Sequence, residues 1–208
     1  MVLRKILAGA SALVLGACSV VGVRSGTEEP AFETLDRFGD VEIRRYAPRM
    51  AAETLVAADE TASRSEGFSR LARYIFGGNA GAQSIAMTAP VAQQASQIAM
   101  TAPVAQAPAA GGGYRIRFFL PASLRTPPAP LDASVEIVTV PGETVAVLRY
   151  TGSTGPDAVA DARARLLAAL PPSRWRAASE PYSWFYDPPW TLAPLRRNEA
   201  VVPVQPAN

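Results

Sequence analysis

No histidine occurs among the 208 residues, and Cys18 is the only cysteine. That composition excludes a Ser-His-Asp triad, a Cys-His pair and any zinc site that needs imidazole. The acidic residues do not make up the loss. Glu180 has no second carboxylate within the next six positions, so no close acid–base pair forms there. Asp187 sits in Tyr186-Asp187-Pro188-Pro189, a turn in which an aspartate side chain bonds nearby backbone. Gly111-Gly112-Gly113 leads into a strand-like segment and lacks the helix that a phosphate cradle needs, so it reads as a loop. The soft donors left are Met50, Met87 and Met100, a residue type that also fills irregular cores. Acid–base chemistry stays open in principle, but no catalytic constellation points to it, and no enzymatic activity is expected.

Cys18 has a different context. Arg4 and Lys5 precede an apolar run from Ile6 to Gly16, broken only by Ser11, and Leu15-Gly16-Ala17 places small residues just before the cysteine. The run is too short to cross a bilayer as a stable helix and reads as a signal peptide over residues 1–17. Cleavage before Cys18 and lipid attachment to its thiol would account for a cysteine with no disulfide partner. Ser19 in the next position favours the outer membrane over the inner. The expectation is a lipid-anchored bacterial envelope protein facing the periplasm, with residues 18–31 as a tether. Loss of residues 1–17 removes Arg4 and Lys5 from the 20 basic side chains, balancing the 18 acidic ones and leaving no lysine. A neutral chain without a basic face is not a nucleic-acid binder.

Residues 32–204 are then one domain, followed by a tail over 205–208. Val41 and Ile43 alternate with Glu42 and Arg44 as in a half-buried strand, and residues 50–57 follow as a second strand after Pro48. Phe68, Leu71, Ala72 and Ile75 form one helical stripe. Ser63-x-x-Glu66 is its expected capping box, Glu66 and Arg70 an outer pair, and Gly77-Gly78 its stop. Residues 114–120 form a further strand. Residues 135–140 and 144–150 read as a hairpin around Pro141-Gly142. A second helix starts near Pro156, buries Val159, Ala162, Leu166 and Leu170, pairs Asp161 with Arg165, and stops at Pro171-Pro172. Strands over 181–186 and 197–204 complete a second β-β-α-β-β half. The fold class is α+β, with two pseudo-repeated halves whose sheets combine.

Nine residues, Ile85 to Gln93, recur unchanged as Ile98 to Gln106. Tandem identity of this kind reads as a local duplication offering two candidates for one strand position, with Met87 or Met100 facing the core. Pro90 and Pro103 each lack a backbone donor, which suits a strand end or edge.

Three stretches together resemble the SOUL haem-binding family: GFSRLARYIFGGN followed by IAMTAPV, then YRIRFFLP with PPAPLDASVEI, and finally YSWFYDPPWTLAPLRRNEAVV. The resemblance spans Phe32 to Val204. It implies a distorted barrel-like sheet with two packed helices, and non-covalent binding of haem or another porphyrin. It associates the ligand with the first helix and the Asp-Pro-Pro loop. Carried onto this chain, that points to Phe68 and Ala72 for the macrocycle face, Arg73 or Arg64 for the propionates, and Trp190 across the groove. The helix histidine that some members are thought to use is absent, so the ligand would be held without histidine ligation. Met87 and Met100, with Met50 and Tyr74, are the weak candidates for iron. Such binding suits a carrier, buffer or scavenger. Two other classes stay open: a module for another flat apolar ligand, since the two-half design resembles gyrase-inhibitor-like effector-binding domains, and an enzyme that modifies a tetrapyrrole or hydrolyses a small substrate through Glu180 and Tyr182.

Overall fold

A computed structural model describes residues 27–96, 113–187 and 191–207. Among these lie ten strands and two α-helices: β1 (Phe32–Phe38), β2 (Val41–Tyr46), β3 (Arg49–Val56), α1 (Glu60–Ile75), β4 (Val91–Ser96), β5 (Gly113–Phe119), β6 (Val135–Val140), β7 (Glu143–Tyr150), α2 (Pro156–Ala169), β8 (Trp175–Ala177), β9 (Tyr182–Phe185) and β10 (Asn198–Pro206). The α+β class and the doubled β-β-α-β-β order hold. Cys18, Met100, Trp190 and the second copy of the repeat lie outside the described residues.

The halves are joined by exchange. β6 and β7 do not form the expected hairpin: β6 pairs with β3, and β7 pairs with β2. The register carries straight through, from Val41 opposite Leu148 to Tyr46 opposite Glu143, then from Arg49 opposite Val140 to Thr54 opposite Val135. Two long segments thus pair antiparallel end to end, and each half lends its first strand to the other's sheet. Pro141 explains the failed hairpin. Two-residue hairpins need positive φ in the turn, which proline cannot adopt. Gly142 serves another purpose, because a Cβ there would lie 3.2 Å from the Tyr46 carbonyl oxygen and 3.3 Å from Pro48 Cδ. The two chains cross at that point. A tight two-residue hairpin does form at β1–β2, where Gly39 at φ +52 and Asp40 connect Phe38 to its partner Val41.

From this ribbon, β5 and β4 extend from β3, while β10 and β9 extend from β7, and a β4–β9 ladder joins the two arms. The sheet therefore curls into a half-barrel with apolar groups on both faces. Val145 and Val147 point inward to Tyr46, Phe119, Tyr182 and Trp184. Ala146 and Leu148, between and beyond them, point outward under α2 with Leu166 and Leu170. A third cluster holds Leu71, Tyr74 and Ile75 of α1 against Ile116 and Phe118 of β5.

Both helices form where local periodicity placed them, with two corrections to α1. It starts one turn before the expected capping box, because Asp59 accepts the Thr61 and Ala62 amides at 2.9 Å. Ser63 is instead buried inside the first turns. The buried stripe is also rotated, running through Ser63, Gly67, Leu71, Tyr74 and Ile75 and leaving Phe68 and Ala72 half-buried at its edge. Gly67 causes the rotation. A Cβ there would lie 2.4 Å from Ile116 Cγ1, so the missing side chain lets the helix backbone approach the sheet. Helix propensity alone would make Gly67→Ala stabilising by about 1 kcal/mol. Overpacking against Ile116 is expected to reverse the sign, to a loss of about 1–3 kcal/mol in thermal unfolding; a raised melting temperature would refute the close-approach account.

The first copy of the repeat occupies the sheet. Ile85 and Ala89 are buried, Thr88 donates its hydroxyl to the Phe119 carbonyl, and Val91 to Gln93 pair with both β5 and β9. Met87 does not face the core as expected; it is 38% exposed. The Thr88 and Ala89 positions fix the local direction of the chain, and Met87 falls on the outer side.

Candidate functional site

The C-terminal half of α1 borders an open groove of about 550 Å³ lined by Phe68, Ser69, Ala72, Arg73, Phe76 and Gly78. Phe68, Ala72 and Phe76 recur every four residues, so they rise in line beside the buried stripe. Phe68 is braced edge-on against Phe118 with ring centroids 5.3 Å apart. Phe76, at the C-cap, is 68% exposed, a large apolar surface left to solvent. Gly77 then turns the chain at φ +108, and the Gly78 amide closes on the Arg73 carbonyl at 2.8 Å.

The groove's end is rigid. Buried Asn79 donates to the Tyr74 and Gln83 carbonyls at 2.8 and 2.7 Å and accepts the Gln83 amide at 3.0 Å. The Ala80 and Leu131 amides bond Ala129 and Gly78, which ties the 121–132 loop alongside. Arg73 is the groove's cation. It extends into solvent and approaches Asp132 only at 4.0 Å, so its guanidinium remains available to an anionic group.

Of the residues expected to contact ligand, Phe68, Ala72 and Arg73 are brought together here. Arg64 points elsewhere. Its Nε donates to Gln93 Oε1 and its Nη1 to the Thr154 carbonyl, both at 2.8 Å, and it stacks over Phe185 at 4.0 Å. Burial draws its pKa down. It joins α1 to β4 and to the approach of α2. Tyr74 is buried with its hydroxyl donated to the Pro128 carbonyl at 3.0 Å. Glu180 is exposed, whereas Tyr182 is buried in the barrel and shares a 3.4 Å bond with Glu143, so the two do not form a joint site. Asp187 accepts the Arg197 amide at 2.7 Å, which ties it to the segment before β10. Sequence reasoning missed Ser69, Phe76 and Gly78. A phenylalanine directly before Gly77-Gly78, in step with Phe68 and Ala72, was the available signal.

These residues suit a flat apolar plate with acidic edges. Aromatic and aliphatic carbons supply the face and Arg73 supplies an edge cation, while the described lining offers neither imidazole nor thioether to a metal. A two-half barrel presenting such a groove is a ligand-binding scaffold. The chain belongs to the SOUL haem-binding family: the model described as SOUL heme-binding protein matches residues 27–203. That membership makes it a haem- or tetrapyrrole-binding protein in class. No curated protein matches the sequence significantly.

Solved structures share the fold at low identity. The EcmrR C-terminal domain is 9% identical, with a TM-score of 0.58 over 80% of this chain and 98% of that one. An uncharacterized conserved protein from Listeria innocua is 10% identical, with a TM-score of 0.53 over 80% and 92%. A hydrolase from the same organism is 8% identical, with a TM-score of 0.51 over 82% and 94%. At these identities the likeness concerns architecture alone.

Proposed function

We propose that the protein holds haem or a related porphyrin non-covalently in the groove beside α1, as an envelope-anchored carrier, buffer or scavenger. The observation that carries this reading is the Phe68–Ala72–Phe76 line bordering the groove, half-buried at its start and exposed at Phe76, with Arg73 at its side, in a domain of haem-binding family. When bound, the macrocycle brings a large apolar face whose removal from water drives association. Phe68 and Phe76 cover it, Ala72 lets it lie close to the helix, and Arg73 pairs with a propionate. An open groove without a ligating side chain in its described lining favours exchange over permanent retention, which suits a carrier.

Haemin titration followed in the Soret band tests the site. Phe76→Asp should weaken binding by about tenfold or more, since burying a phenylalanine is worth roughly 1.5–3 kcal/mol and the acid would also repel propionates. Phe76 is largely exposed, so folding should be unaffected. Protoporphyrin IX should bind within a few-fold of haemin, because iron gains no bond from the groove. Unchanged affinity in Phe76→Asp would remove the groove from the account. The anchoring half of the proposal rests on residues 4–18 and has its own assay. Cys18→Ser should move the protein from the membrane to the soluble fraction, and persistence in the membrane would reject lipidation there.

A further inference from the structure

Seven large hydrophobic side chains stay exposed among the described residues, and two of them, Phe76 and Leu131, lie at the groove and its closing loop. Such residues need no explanation when scattered singly, but four of the others are not scattered. Phe32, Met87, Leu192 and Leu195 adjoin residues 28–31, by which the chain enters the domain, or the groups that segment touches. Phe32 directly follows the segment. Met87 precedes Thr88, which bridges to Glu28, and the Ala89 amide bonds the Glu28 carbonyl at 3.0 Å. Leu192 and Leu195 precede Arg197, which pairs with Glu29 at 2.9 Å. We propose that this end of the domain, led by the Leu192–Leu195 turn, rests on the surface of the bilayer that holds the lipid anchor. The inference rests on the proposed lipidation of Cys18 and is independent of the haem reading.

The sheet brings these positions to one end. Val91 at the start of β4 pairs with Phe185 at the end of β9, and Phe185 pairs with Asn198 at the start of β10. The turns leading into β4 and β10 therefore emerge together, beside the entering segment. The second of these turns is firm. The Leu195 and Arg196 amides close on the Leu192 and Ala193 carbonyls at 2.9 and 3.2 Å, and the Gly152 amide bonds Ala193 at 2.9 Å. Arg196 Nε reaches the Thr191 carbonyl at 2.8 Å. Thr191 is buried, whereas Leu192 is 55% and Leu195 44% exposed. A turn bonded in this way can place leucine carbons among lipid headgroups without leaving those backbone groups unpaired. Chain length supplies the neighbour. Cys18 lies ten residues before Glu28, so even a fully extended tether separates anchor from domain by no more than about 35 Å. The segment's own acids are engaged, since Glu28 accepts the Ala122 amide at 2.8 Å and Glu29 pairs with Arg197. A lipid anchor with a shallow apolar contact beside it makes two membrane signals where one alone holds less firmly.

Nitroxide quenching tests the contact in the lipidated full-length chain, reconstituted in vesicles of phosphatidylethanolamine and phosphatidylglycerol. Lipid on Cys18 leaves an introduced cysteine as the only thiol for a fluorescent label. Labels at Leu192→Cys and Leu195→Cys should be quenched by nitroxide-bearing lipid about threefold or more beyond a label at Leu131→Cys, which is more exposed but adjoins the groove. Both should also be shielded from aqueous iodide, and adding Leu192→Asp should lower the quenching at Leu195→Cys by about half. These leucines are exposed, so the substitutions should leave the fold intact. Quenching at the two leucine positions no greater than at Leu131→Cys, in a vesicle-bound chain, overturns the proposal. So does shielding from iodide in native membranes but not in the vesicles, which would assign the turn to a protein partner. A Cys18 found unmodified by mass spectrometry, in a chain that does not enter vesicles, rejects the anchor and this surface with it. A lipidated chain without the quenching rejects the surface alone.

Discussion

Glu199→Ala should cost about 3–5 kcal/mol of folding stability, the range for removing one partner from a buried ion pair. Glu199 lies on β10 with no exposed surface. Its Oε2 accepts Arg44 Nη1 at 3.0 Å and the Tyr186 hydroxyl at 2.7 Å, while Oε1 accepts Arg197 Nε and Nη2 at 3.2 and 2.9 Å. Arg44 also binds Glu42 at 2.7 Å, and Arg197 also binds Glu29 at 2.9 Å. Charges thus alternate from β2 through β10 to the segment before β1, with Glu199 at the centre. Alanine leaves two guanidinium groups and a phenol facing a hole that water fills poorly. Glu199→Gln keeps the shape but turns an amide N–H₂ toward donors, and should fall between the wild type and alanine. Urea unfolding midpoints measure both. A loss below 1 kcal/mol for alanine would mean that Glu42 and Glu29 suffice, and that the central carboxylate contributes only geometry.

Alkaline titration should show a second large effect, with tyrosine ionisation and unfolding arriving together. All six tyrosines have pKa values raised by burial. Tyr46 and Tyr150 are each pushed up to about 12. Tyr182 and Tyr186 are also raised, with neighbouring carboxylates Glu143 and Glu199 adding to burial. A tyrosine whose folded pKa lies above its unfolded value favours the native state fully below pH 10 and loses that contribution as pH climbs through the folded value. For Tyr46 alone, a shift of about two units corresponds to roughly 2–3 kcal/mol. Stability should therefore be flat to about pH 10 and fall steeply towards 12. Absorbance at 295 nm should rise as one cooperative step coincident with loss of circular dichroism. Gradual ionisation near pH 10 in a folded chain would contradict the buried placement of these rings.

The two helices could be placed from sequence because their hydrogen bonds and side-chain rows lie within a few residues of one another. Glu66–Arg70 and Asp161–Arg165, expected one turn apart, form as ion pairs. Gly77-Gly78 ends α1 as its composition indicates. Position within a helix was less secure. Glycine carries no hydrophobic signal, so Gly67 could not be recognised as the centre of the buried stripe until Ile116 was packed against it. The hairpin error has a similar origin. Pro141-Gly142 and Gly39-Asp40 both mark reversals by composition, but only the second has the positive φ that a tight hairpin requires.

The candidate site divides along the same line. Phe68, Ala72 and Arg73 were accessible because they share one helix and one family motif. Arg64 shares them too, yet its side chain is committed to Gln93 and Thr154, partners that only folding brings near. By itself the sequence determined the two-half α+β order and the lack of histidine, properties of composition or of neighbours along the chain, and its motifs carried the family resemblance that pointed to the first helix. The tertiary structure decided that each half lends its first strand to the other, that the first IAMTAPVAQ copy enters the sheet and supplies the start of β4, that Arg49 lies buried with unused donors, and that Glu199 binds two arginines. Each of those outcomes depends on pairing between distant segments, whose closure entropy and packing no local pattern encodes.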